Sequence, residues 1–90
     1  MLAFGKLLYE EKSMHNYEVE TKMGRQIENN FQYHAPKNDQ QERYVFLRDE
    51  ARVLAYNIVK NTPPSREQSL AITKLEEAIF WANAAIARNE

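Results

Sequence analysis

Two consecutive prolines, Pro63 and Pro64, stand between two long segments that repeat apolar residues at helical spacing, and neither segment contains a proline or glycine of its own. Proline lacks an amide donor and drives the residue before it away from helical dihedrals, so the pair ends one helix and forces a turn before the next. Two helices of similar length joined by such a turn form an antiparallel hairpin. The expected fold class is therefore all-α.

The first helix is predicted over 39–60. Tyr44, Leu47, Ala51, Leu54 and Ile58 recur at alternating intervals of three and four, and Val45, Val53, Tyr56 and Val59 widen the apolar surface beyond one stripe. Asp39 with Glu42 has the spacing of a capping box. The second helix is predicted over 65–88, roughly 35 Å long at the standard rise. Ser65 with Gln68 repeats the capping-box spacing, and Thr62 with Pro63 at the first helical position is an alternative start.

The second helix carries two stripes, Ile72, Ile79 and Ile86 on one and Ala71, Leu75, Ala78, Ala82 and Ala85 on the other. One hairpin partner cannot cover both. Either the amino-terminal arm completes the cover or copies of the chain do, and small size favours copies: 90 residues without a cysteine form a marginal core that no disulfide or thiolate zinc site can staple. Trp81 lies beside the stripes.

Ahead of the hairpin domain (29–90), residues 1–28 form an amino-terminal arm. Its opening, LAFGKLLY, suits one or two helical turns interrupted by Gly5, followed by a polar stretch in which Met14, Tyr17, Val19, Met23 and Ile27 are scattered. The arm either docks on a partner or frays. No run reaches the length of a membrane span, and MLAFGKLLYEEK turns acidic too soon for a secretory signal, which together lead to the expectation of a soluble intracellular protein with no membrane partner. A formal net charge of -1 offers no bulk attraction for DNA or RNA, though it allows a local cationic pocket.

Catalytic constellations are lacking. There is no GxxxxGK segment, and His15 and His34 have no metal-binding spacing. Glu76 and Glu77 are adjacent, so on a helix they point about 100 degrees apart and do not share a substrate; solvent or a salt bridge to Lys74 suits them better. The expectation is a non-enzyme with no cofactor and no metal.

The segment NNFQYHAPKNDQQERY, residues 29–44, concentrates aromatic and cationic groups ahead of a helix. Tyr33 offers a face on which a base can stack, His34 can stack or donate a hydrogen bond, and Lys37, Arg43 and Arg48 can reach phosphates, with Arg48 and Arg52 four apart on one face. The same residues also fit a plainer account, in which Phe31 and Tyr33 cover the hairpin end while Arg43, Arg48 and Arg52 pair with Glu42, Asp49 and Glu50. At the start of the second helix, Ser65, Arg66, Ser69 and Thr73 meet free backbone amides that favour phosphate. Asn83 suits an interhelical or intersubunit hydrogen bond better than a base.

The run FQYHAPKNDQQERYVFLRDEARVLA, followed by PPSREQSLAITKLEEAIFWANAAIARNE, resembles phage hairpin-domain proteins that act as sponges for the cyclic nucleotides of CBASS antiphage signalling; related members take up the cyclic ADP-ribose signals of Thoeris. The resemblance covers roughly residues 27–90. It implies a helical hairpin that assembles into homo-oligomers, commonly hexamers, and binds its signals without cleaving them. Cyclic dinucleotides would lie between protomers and cyclic trinucleotides at separate sites, in the cytoplasm of the infected bacterial host. On this chain the stacking aromatic falls on Tyr33 and the phosphate-contacting base on Arg48, where relatives can carry lysine, with His34 or Lys37 as substitutes. Arg66 and Thr73 would be contributed by another protomer; Ser69 joins the candidates only through the i, i+4 face it shares with Thr73. A sponge for cyclic ADP-ribose isomers, or a helical adaptor that binds protein, are the other functions open to such a chain.

Overall fold

The computed structural model describes residues 15–90. The described residues form three helices, α1 (Thr21–Asn30), α2 (Gln40–Asn61) and α3 (Arg66–Asn89), and no strand. Internal contacts divide the chain between residues 31 and 32, so that α1 belongs to one unit and α2 and α3 to the other.

In the first unit, residues 15–20 have no regular structure and lead into α1. Met23 and Ile27, four apart, lie on one face of this helix and are partly exposed, while Tyr17 and Val19 before it are largely exposed. The expectation of a merely scattered polar stretch misses α1, because two apolar positions in ten residues give a weak period. The helical turns expected over LAFGKLLY lie outside the described residues.

The second unit is the antiparallel hairpin that the double proline calls for. α2 ends at Asn61, and Thr62, which precedes Pro63, takes the extended dihedrals φ −135° and ψ 150° that proline imposes on its neighbour. α3 then starts at Arg66, behind a Ser65 cap whose Oγ accepts from the Gln68 amide at 3.1 Å; the alternative start at Thr62–Pro63 is not used. Gln68 does not close the box by reaching back to Ser65. Its Nε2 donates across the turn to the Thr62 carbonyl at 2.9 Å and to Thr62 Oγ1 at 3.0 Å, which ties the first turn of α3 to the end of α2.

The cap expected at the start of α2 is corrected. Asp39 occupies the cap position without capping: its side chain makes no hydrogen bond to a helix amide and instead pairs with Arg43 at 3.1 Å. Gln40 and the turn before it hold this end. Asn38 adopts a positive φ of 54°, a conformation asparagine tolerates better than most residues, and the Lys37 amide donates to Gln40 Oε1 at 3.1 Å.

Between its two ends the hairpin has no dry interior. No hydrophobic side chain among the described residues is fully buried. Ile72, Leu75, Ile79 and Ile86 are half-covered against α2, while Ala71, Ala78 and Ala85 remain exposed, so a single α2 leaves both stripes of α3 incompletely covered. Phe80 and Trp81 are 69% and 63% exposed.

Candidate ligand-binding site

The candidate residues fall into three groups. Tyr33, His34 and Lys37 lie on the segment before α2, Arg48 stands two turns into α2, and Arg66, Ser69 and Thr73 occupy the first turns of α3. All are exposed except half-buried His34. Tyr33 is 85% exposed and does not cover the hairpin end, and Phe31 is equally open to solvent.

A polar clasp holds the open end of the hairpin. Gln40, only 3% exposed, donates from Nε2 to Glu90 Oε1 at 3.2 Å, and Arg43 grips the same carboxylate with both terminal nitrogens, Nη1 donating to Oε2 at 2.8 Å and Nη2 to Oε1. Hydrogen bonding from Arg43 and then from Gln40 lowers the Glu90 carboxyl to about 2, with the charges of Arg43 and Lys37 acting in the same direction. The Glu90 and Asp39 carboxylates in turn raise the Arg43 guanidinium further above its already high range. Because Gln40 also binds the Lys37 amide, the clasp positions the segment that carries Lys37.

The sign of the Glu90 shift fixes a pH dependence. A carboxyl whose folded value is lowered from 4.5 to about 2 adds stability that is fully present above 4.5 and is lost as pH falls through 2. Thermal unfolding followed by circular dichroism should therefore show wild type losing stability relative to Glu90→Gln between pH 4.5 and 2. Parallel curves for the two proteins over that window would show that the clasp does not stabilise the hairpin.

The arginines differ in their commitments. Arg43 is bound by Asp39 and Glu90, and Arg52 lies 3.9 Å from Asp49. Arg48 and Arg66 have no carboxylate partner among the described residues, so the plainer account of a fully paired face does not hold for Arg48. Glu77 pairs with Lys74 at 3.5 Å, as expected for an exposed helix position.

Arg48 also borders the groove between α2 and α3. About 310 Å³ in volume, it has Ala51 and Ala55 on the α2 side, Ile72, Leu75, Ile79 and Phe80 on the α3 side, and Arg48, Arg52, Glu76 and Asn83 as its polar members. Asn83 Oδ1 is shut off from solvent and has no hydrogen-bond partner, so the interhelical bond expected of it is not made by that atom. No group of three or more His, Asp or Glu side chains that could hold a metal is found among the described residues.

The groups are not brought together within one chain. Arg43 meets Glu90 at one end of the hairpin, and Gln68 meets Thr62 at the other. The step from Arg43 to Val59, whose carbonyl Gln68 also reaches, is sixteen residues of helix, about 24 Å. Lys37, whose amide binds Gln40, therefore lies toward the end opposite Arg66 and Ser69. The clasp has no signature in the sequence, since Gln40 and Glu90 are fifty residues apart and neither has a local pattern.

Residues 23–87 match the family described as Acb2/Tad1, hairpin domain, a span that takes in α2 and nearly all of α3. No curated protein and no solved structure gives a significant match. By the extent of that match, the chain belongs to the Acb2/Tad1 hairpin-domain family, whose anti-CBASS domain is a non-catalytic phage sponge for immune nucleotides.

Proposed function

We propose that this chain captures intact cyclic dinucleotide signals in the cytoplasm of the infected bacterium, takes cyclic trinucleotides at separate sites, and so withholds both from CBASS effectors. The observation that carries the reading to particular residues is the pair of uncommitted guanidiniums, Arg48 and Arg66, on a chain whose other hairpin arginines near α2 are already paired. An exposed guanidinium without a carboxylate can grip a phosphodiester bidentately. Tyr33 supplies a stacking face, and His34 and Lys37 flank it; Ser69 and Thr73 add hydroxyls beside Arg66.

Lys37 and Arg66 lie toward opposite ends of the hairpin, so a pocket that uses both draws them from two copies. Assembly is thus part of the reading: a homo-oligomer, a hexamer on the family pattern, in which Tyr33, Lys37 and Arg48 of one copy meet Arg66 and Thr73 of another. The exposed apolar surface of α2 and α3 supports it, since burial between copies supplies the core that one hairpin lacks.

Native mass spectrometry with cyclic di- and trinucleotides and cyclic ADP-ribose isomers tests the reading. An oligomer that retains an unmodified cyclic dinucleotide is the expected result. Retention of cyclic ADP-ribose isomers alone would move the protein to Thoeris signals, and a chain that binds none of the panel would overturn sequestration in favour of a protein-binding adaptor. Tyr33→Ala should weaken nucleotide binding by about tenfold or more, the effect of removing the platform for one stacked base, while leaving the native mass unchanged. Unaltered affinity in calorimetry would remove Tyr33 from the site.

A further inference from the structure

The one fully buried side chain among the described residues is polar: Gln40, at the open end of the hairpin. Burying an amide costs free energy that an apolar side chain would not, unless its hydrogen bonds are made and specify one geometry. Here the bonds converge on Lys37. The Lys37 amide donates to Gln40 Oε1 at 3.1 Å, and the Gln40 amide donates back to the Lys37 carbonyl at 3.0 Å. Both main-chain polar atoms of Lys37 are thus held by one residue.

The surroundings keep this turn from relaxing. Gln40 Nε2 donates to Glu90 Oε1 at 3.2 Å, and Arg43 Nη1 holds the other oxygen of that carboxylate at 2.8 Å while its Nη2 reaches Asp39 at 3.1 Å. Asn38 carries the reversal at a positive φ of 54°. On the other side of Lys37, the ring of Pro36 locks its own φ and restricts Ala35, so the chain leading back to His34 and Tyr33 is stiffened too. Lys37 itself is exposed and forms no ion pair among the described residues, which leaves its ammonium open to a ligand on a fixed backbone.

We propose that Gln40, braced by Arg43 and Glu90, is a positioning residue for signal capture: it holds Lys37 where its ammonium meets a phosphate, without touching the ligand. This role presupposes the capture proposed above, in which Lys37 belongs to the pocket. A lysine on an unbraced turn would lose backbone freedom on binding, and that loss subtracts from affinity. The brace moves the loss into folding. Arg43 takes its place in the brace rather than among the phosphate ligands, because both of its terminal nitrogens are committed and its Nε is shut off from solvent.

The test compares wild type with Gln40→Leu, which roughly keeps the volume and removes both side-chain bonds, and with Gln40→Glu, which sets a second carboxylate against Glu90. The double variant Gln40→Glu/Glu90→Gln exchanges donor and acceptor across the same contact. Two quantities are read at neutral pH: hydrogen exchange of the Lys37 amide without ligand, and the calorimetric dissociation constant for cyclic GMP-AMP. Each single variant should speed exchange at Lys37 and weaken binding by about tenfold, the scale of ordering a residue or so of backbone, with helical content and native mass unchanged. The double variant should recover both, and it keeps the test decisive even where Gln40→Leu does not fold. Faster exchange with unaltered affinity would overturn the positioning role and leave capture standing. Exchange at the wild-type rate in both single variants would show that Gln40 does not hold the turn and would reject the role as well. Affinity that falls together with helical content, and that the double variant does not restore, would reduce Gln40 to a structural residue. Wild type that protects the Lys37 amide but does not bind cyclic GMP-AMP would overturn capture of that dinucleotide, and the positioning role with it, while leaving the brace in place.

Discussion

Arg48→Glu is expected to weaken cyclic dinucleotide binding by roughly 100-fold, the scale of about 3 kcal/mol for removing one charge-assisted hydrogen bond to phosphate. Substituting a carboxylate does more than delete the guanidinium, because it faces the phosphodiester with a like charge. The effect should be confined to binding. Arg48 has no ion pair among the described residues and is exposed, so its replacement breaks nothing that holds the hairpin together. Calorimetry on a variant of unchanged helical content and native mass is the measurement, with Arg48→Lys as its companion. Lysine keeps the charge but cannot bind two oxygens in a fork, so it should retain an intermediate affinity. A dissociation constant for Arg48→Glu equal to that of wild type would exclude Arg48 from the site and shift phosphate binding to Lys37 or Arg66.

The hairpin is legible in the sequence because its determinants are local. Pro63 and Pro64 act on their immediate neighbours, Ser65 caps an amide three residues ahead, and the three-and-four spacing of Leu47, Ala51, Leu54 and Ile58 is visible without a partner. Asp39 shows the limit of that kind of reading. Its spacing to Glu42 suits a cap, but Arg43 one turn on competes for the carboxylate, and Gln40 takes over the turn amide instead. Nothing local distinguishes these outcomes. The decisive group is Glu90, which draws Gln40 and Arg43 into one cluster from the far end of α3.

The candidate site is legible in residue type more than in arrangement. The aromatic and cationic character of residues 29–44 is plain in the sequence, and so is the possibility that all its arginines are paired. The structure separates Arg43, committed to Glu90 and Asp39, from uncommitted Arg48 five residues on. It also places Lys37 and Arg66 toward opposite ends of the hairpin, a fact that depends on helix length and antiparallel order together. Asn83 is a further case: its position on α3 suggests a hydrogen bond between helices, yet its Oδ1 is left without a partner in a single chain.

Ala78→Arg is expected to break the assembly proposed above, raising the dissociation constant of the affected interface by about 100-fold or more, since a charge carried into an apolar interface without a partner costs several kcal/mol. Ala78 is exposed on α3, so the longer side chain reaches solvent in the isolated hairpin and helical content should not change. Light scattering is the measurement, and a native mass equal to that of wild type would remove the alanine stripe from the interface.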